Sequence, residues 1–191
     1  MRLIVGISGA SGVIMGYRLL QELRRRGDVE THLIVSEGAE RTFSLETDVS
    51  MNEVRAAADF VHDNRDVGAL VASGSFKTEG MAVVPCSMRT LSGIADGYDE
   101  NLLIRAADVC LKERRPVVLV PRETPLNAAH LRNMALACQD GCRILPPMLT
   151  FYNRSETLEE QVAHVVGKVL MQFGLTSPSF RPWEGGGVHG G

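Results

Sequence analysis

The run Pro116-Val-Val-Leu-Val-Pro-Arg-Glu123 constrains this chain more than any other stretch. A strand with no polar residue on either face has to lie in a sheet covered on both sides, which means parallel strands joined by crossover helices. Its carboxyl end carries a charged pair, Arg122 and Glu123, and carboxyl ends of strands are where open α/β sheets take their ligands. Charge held against a core is costly without a partner. The expected partner is an anion.

The same alternation runs along the whole chain. Leu3 to Ile7 is a short apolar run, followed by a Gly/Ser turn and then by Leu19, Leu20 and Leu23 at helical spacing. Thr31 to Val35 and Met81 to Val84 read as further strands, the latter ended by Pro85. Ser50 with Glu53 spells a capping box, predicting a helix that carries Val54, Ala57 and Phe60. Ser87 to Ile94, Leu102 to Lys112 and Leu131 to Cys138 read as helices, Arg143 to Leu145 as a short strand, and Thr157 to Phe173 as a long helix with Val162, Val165, Val166, Val169 and Leu170 on its apolar face. Strands and helices in this order predict an α/β doubly wound parallel sheet. One domain is expected over residues 1–176, with 177–191 as a partly flexible tail, mobile from Gly185 to Gly191. Trp183 is the exception in that tail, because a lone Trp among polar residues tends to dock.

Composition removes several function classes. A chain of 191 residues with 45% apolar and 23% charged residues is ordinary for one globular domain. Its formal charge of −3 argues against a nucleic-acid partner, and any cationic site must be built by placement. No apolar run approaches a membrane span, and the one at the N-terminus is too short for a secretory signal, so a cytoplasmic protein is expected. Cys86, Cys110, Cys138 and Cys142 lack CxxC spacing, and the five histidines lack HExxH spacing. No metal site follows from them. Cys110 and Cys142 read as small buried hydrophobes.

Candidate ligand groups gather at strand ends. Gly6-Ile-Ser-Gly-Ala-Ser-Gly12 is a glycine-rich strand-to-helix turn whose bare amides suit a phosphate, with Ser8 and Ser11 adding hydroxyls. It is not a P-loop, and Ser8 stands where GxGxxG would have its second Gly. Ser36 serves either a ligand oxygen or a helix N-cap, and Glu37 beside it keeps a ribose-binding dinucleotide reading open. Pro85-Cys-Ser-Met-Arg-Thr90 opens a helix with hydroxyls, amides and a cation. Ser73-Gly-Ser-Phe76 reads as a lip or an ordinary loop. Arg105 and Lys112 share a helix face, about 20° apart after two turns; with Asp108 between them they form either an ion-pair ladder or part of a site.

These motifs, with Leu111-Lys-Glu-Arg-Arg115, Pro121-Arg-Glu-Thr-Pro125 and Phe151-Tyr152, are similar to those of the UbiX/Pad1 flavin prenyltransferases, in order from Leu3 to about Trp183. The resemblance implies a Rossmann-like or flavodoxin-like fold, a homododecamer, and metal-independent transfer of a dimethylallyl group from dimethylallyl phosphate to N5 and C6 of reduced FMN. The product, prenylated FMN, would serve a UbiD-type decarboxylase. By motif match, Gly9, Ala10, Ser11, Ser36, Ser87, Met88, Arg89, Thr90 and Arg122 would bind FMN. Lys112, Glu123, Tyr152 and Lys168 would surround the donor phosphate, Arg105 would lie at its margin, and Glu123, Lys112 and Tyr152 would carry the chemistry. Phe76 and Trp183 would enclose the allylic group. Lys168 stands where the family commonly has Arg, replacing a bidentate contact with a point charge. Two alternatives share the architecture: a flavin-dependent cysteine decarboxylase, against which Pro85-Cys-Ser-Met-Arg-Thr90 speaks, and a non-catalytic flavin-binding subunit of an aromatic-acid decarboxylase.

Overall fold

The computed structural model describes residues 1–183. Six strands, β1 (Arg2–Ile7), β2 (Glu30–Val35), β3 (Phe60–His62), β4 (Met81–Cys86), β5 (Val117–Pro121) and β6 (Cys142–Ile144), form one sheet in the order β3-β2-β1-β4-β5-β6. Every pairing is parallel. The order steps outward from β1 in both directions, so the chain reverses between β1 and β4. That order is the Rossmann arrangement of a doubly wound parallel sheet, within the expected fold class.

Side chains alternate along each strand into two cores. Leu3, Val5, Ile7, Leu33, Val118 and Val120 pack on one face, beneath α1 (Ile14–Arg26), α2 (Glu37–Glu46), α3 (Met51–Ala56) and α7 (Leu158–Met171). Ile4, Ile34, Met81, Val83, Val117 and Leu119 pack on the other, under α4 (Met88–Asp96), α5 (Leu102–Lys112) and α6 (Ala128–Gln139). The wholly apolar β5 is therefore buried on both sides, as its sequence requires, and each such side chain contributes about 1.5–3 kcal/mol. Cys110 and Cys142 are buried in the second core, and burial pushes both thiols up to about 12.

Two local expectations change. Phe60 does not continue the helix begun at the Ser50 cap; that helix stops at Ala56, and Phe60 opens β3, where it stacks on His32 at 4.8 Å. Pairing with β2 overrides helical spacing in so short a segment. Pro85 does not end β4, which runs on to Cys86 through a register irregularity between Val83 and Cys86. A proline without an N–H is accommodated at such a break. Within the tail, the Ser177 hydroxyl donates to Glu22 at 3.0 Å, and Phe180 lies tilted on His164 at 5.0 Å. The expected mobile stretch from Gly185 to Gly191 lies outside the described residues. Among those residues, no helix is long and apolar enough to cross a membrane.

Candidate active site

The chain reversal between β1 and β4 is closed by one hydroxyl. Ser8 follows β1 and is fully buried; its Oγ donates to the Pro85 carbonyl at 3.2 Å and accepts from the Ser87 N–H at 2.8 Å. A buried hydroxyl has to find such partners. Ser8 is thus a brace between two strand ends, and its side chain is not free for a ligand as the sequence reading expected.

Three capped helices start around this brace. Ser36 caps α2 through the Ala39 N–H at 3.1 Å, Ser87 caps α4 through Thr90 N–H at 3.2 Å, and Asn101 caps α5 through Ile104 N–H at 3.1 Å. Their N-termini edge a cleft of about 540 Å³ lined by Gly9, Ser36, Asn64, the stretch Ser87 to Thr90, and Glu123. Convergent helix starts concentrate positive potential and favour an anion. At Gly9 a Cβ would lie 2.8 Å from the Gly38 carbonyl carbon, so only glycine lets the first loop press against the start of α2. Three helix starts and a volume inside the usual ligand range fit a phosphate-bearing ring compound such as FMN, although the Ala10 N–H donates to the Ser8 carbonyl at 2.8 Å and the Ser87 hydroxyl to Thr90 at 3.1 Å.

Carboxylates set limits on that cleft. Glu46, at the end of α2, reaches the glycine loop and accepts from Gly12 N–H at 2.8 Å. Arg89 is paired with Glu100 at 2.7 Å, both on the cleft lining. Arg122 and Glu123 are exposed; the Arg122 N–H donates to the Cys86 carbonyl at 3.3 Å, and the Glu123 carboxylate accepts from Thr124 N–H at 3.0 Å. The cost argument that singled out this pair therefore fails within one chain. Its position beside the cleft is what remains.

The other expected site residues are distributed over three places. Arg105, in the first turn of α5, donates to Asp99 at 2.7 Å and Asp108 at 3.1 Å. Lys112 ends the same helix, 11 residues long and roughly 16 Å, and α5 runs from the carboxyl edge of the sheet to its amino edge. It pairs with Glu113 at 2.9 Å, not with Asp108, so the ladder is only half made. The Ser73–Phe76 loop lies beside it: a Cβ on Gly74 would come 2.9 Å from Lys112 Nζ. Phe76 meets His32 edge-on at 4.8 Å and lies under the Arg2 guanidinium at 4.7 Å, at the amino edge and away from the cleft. Tyr152 and Lys168 belong to the flank formed by α1 and α7, where Tyr152 meets His164 at 5.7 Å and Trp183 at 5.5 Å. Trp183 is docked on Tyr152, as a lone tail Trp was expected to dock.

Residues that sequence reading passed over include Asn64, whose carbonyl and side chain accept from Leu102 and Leu103 N–H at 2.9 Å each. It holds the start of α5 at the cleft. Asn101 before an apolar run was a readable N-cap signal; Asn64 and Glu46 offered none, because both act across the fold.

A family model described as Flavoprotein matches residues 1–172. A probable UbiX-like flavin prenyltransferase of Sedimentibacter hydroxybenzoicus is 61% identical over 185 residues, covering 97% of this chain and 98% of that one. A dodecameric FMN-dependent UbiX-like decarboxylase from Escherichia coli O157:H7 superposes with a TM-score of 0.95 at 52% identity, over 97% of this chain and 100% of that chain. AnUbiX, solved with FMN and dimethylallyl pyrophosphate, gives a TM-score of 0.94 at 47% identity, over 96% and 97%. A braced cleft built for a phosphate-bearing ring compound and relatives alike along nearly their whole length lead to one placement: the chain belongs to the flavoprotein family and, within it, to the UbiX-like flavin prenyltransferases.

Proposed function

We propose that this protein transfers a dimethylallyl group from dimethylallyl phosphate to reduced FMN, in the cytoplasm and as a homo-oligomer, and that the prenylated FMN serves a UbiD-type decarboxylase. The observation that carries the reading is the cleft at the chain reversal, where Gly9, Ser36, Ser87 to Thr90 and Glu123 meet. Likeness to a protein solved with both FMN and dimethylallyl pyrophosphate supports the donor class. Four free cysteines among the described residues agree with a reducing compartment.

Reduced FMN supplies the nucleophilic N5 and C6 between which the dimethylallyl unit closes a ring. Gly9, Ala10 and Ser11 form the loop against its phosphate, with the Gly9 and Ser11 amides and the Ser11 hydroxyl as donors, Ser36 and Ser87 to Thr90 present helix starts, and Arg122 stands at the edge. When the allylic carbon–oxygen bond breaks, its electron pair leaves with phosphate. Lys112 and Lys168 stabilise that growing charge more than the ground state. Tyr152 donates its phenol hydrogen to a phosphate oxygen, Glu123 moves a proton during ring closure, and Arg105 steadies the margin.

Lys112 and the Ser73–Phe76 loop lie at the amino edge, a whole strand length from Glu123 in the same chain, roughly 17 Å for the five-residue β5. They join a cleft only from a neighbouring copy, which agrees with a dodecameric relative. The test is anaerobic incubation with reduced FMN and dimethylallyl phosphate, with the diphosphate in parallel, followed by mass spectrometry of the extracted flavin. A dimethylallyl adduct is expected. Unchanged flavin on a folded, FMN-bound protein would sink the transferase reading and leave a flavin-carrying subunit.

A further inference from the structure

Tyr152 and Lys168 sit on one continuous strip of ring contacts whose middle member is His164. Trp183 meets Tyr152 edge-on at 5.5 Å, Tyr152 meets His164 edge-on at 5.7 Å, His164 lies tilted on Phe180 at 5.0 Å, and Lys168 Nζ stands 5.9 Å from the Phe180 ring centroid. Gly167 makes this possible, because a Cβ there would fall 2.5 Å from Phe180 Cβ. Phe180 therefore lies directly on α7, and the ring of His164 is wedged between it and Tyr152.

His164 is unusual for its surroundings. It is only 6% exposed, yet among the described residues its Nδ1 has no hydrogen-bond partner. A buried ring nitrogen without a partner calls for an explanation, and the ring's place between Tyr152 and Phe180 offers one. It lines a cavity of about 380 Å³ with Arg18 and Glu22 of α1, Glu159 and Glu160 of its own helix, and Arg181 of the C-terminal segment. The carboxylates there are engaged elsewhere: Glu159 with Arg18 at 3.0 Å, Glu22 with Arg25 at 2.7 Å, and Glu160 with the Glu156 N–H at 2.7 Å. Lys168, one turn along α7, adds a like charge. Nothing in the strip compensates a charged imidazole.

We propose that His164 is a positioning residue for prenyl transfer: as a neutral ring wedged between Tyr152 and Phe180, it holds the Tyr152 phenol and the Lys168 ammonium in the arrangement that grips the donor phosphate. The proposal rests on assigning those two groups to the donor. Burial first, and the charge of Lys168 second, hold the imidazole below its ordinary range. The sign follows: the undocked state takes up a proton more readily, so docking is at full strength above the ordinary imidazole value of about 6.5 and weakens as pH falls below it.

The test compares wild type, His164→Ala and His164→Phe in anaerobic kinetics with dimethylallyl phosphate and reduced FMN between pH 5 and 8. His164→Ala is expected to raise the donor KM about tenfold with FMN affinity intact, since a misplacement of about 1 Å has effects of that order or larger. His164→Phe, which keeps the wedge and removes the titrating nitrogens, is expected to recover most of that loss. Because the donor phosphate titrates itself, the diagnostic is the ratio of wild-type to His164→Phe KM, expected to rise below about pH 6.5. A flat ratio overturns the proposal, as does an unchanged donor KM in His164→Ala. Should His164→Ala not fold, the ratio alone decides. Should wild type show no prenyl transfer, the fluorescence of Trp183, the single Trp of the chain, decides independently: an acid transition in wild type that is absent in His164→Phe supports the wedge, and coincident curves refute it.

Discussion

The cleft at the carboxyl edge and the strip along α7 are built in opposite ways. The cleft is made of backbone: a buried Ser8 brace, a glycine pressed on a glycine, and three capped helix starts. The strip is made of side chains, half of them open to solvent, with Tyr152 at 43% and Trp183 at 64% exposure. A backbone site is complete in one chain, because folding alone fixes it. A side-chain site on an exposed flank is finished by whatever covers it. On the proposed assignment of residues, the cofactor half of the chemistry is intramolecular, while the donor half depends on assembly.

The hardest blow to this division would come from Glu123, which borders the cleft but is assigned to the donor. Glu123→Gln is expected to lower turnover by about 10³ with FMN still bound, in the range of a lost acid–base group; loss of FMN on gel filtration would move Glu123 to the cofactor half. Assembly is tested next by mixing. Lys112→Ala and Glu123→Gln chains should each be nearly inactive, yet co-refolded at equal amounts they should recover about a quarter of wild-type activity, because random head-to-tail contacts pair an intact Glu123 with an intact Lys112 that often. No recovery would place both residues in one chain's site. Gly9→Ala should weaken FMN by about 10- to 100-fold, the cost of overpacking by about 1–3 kcal/mol, read by flavin fluorescence titration with the oligomer unchanged. Lys168→Arg should shift the donor KM by no more than about twofold, since charge is kept; a collapse of activity would mean that the point charge itself matters.

Much of the fold was legible in the residues, and the reason differs by element. The β5 run and the α7 stripe announced themselves because burial dictates their patterns, and the Ser50 cap because a helix start needs local acceptors. The third strand stayed hidden because Phe60 to His62 is only three residues long, too short for periodicity to outvote the helix before it. At the site, motifs located Ser36, Ser87 and Glu123 beside one another. They could not separate Lys112 or Phe76 from that group, because a motif carries no information about which edge of the sheet it reaches. Glu46 and Asn64 were invisible for a related reason: each acts on a loop distant in sequence, Glu46 on Gly12 and Asn64 on the start of α5.

Because α5 carries the cleft at its first turn and Lys112 at its last, the two complementary surfaces are different patches pointing in opposite directions. Copies that use both cannot meet through a two-fold axis, in which a patch meets itself. They must join heterologously, each presenting its amino edge to the next copy's carboxyl edge, and such contacts either close into a ring or propagate as a filament. If Lys112 serves a neighbour's cleft as proposed, a helix of eleven residues thereby rules out a simple two-fold pair for that contact.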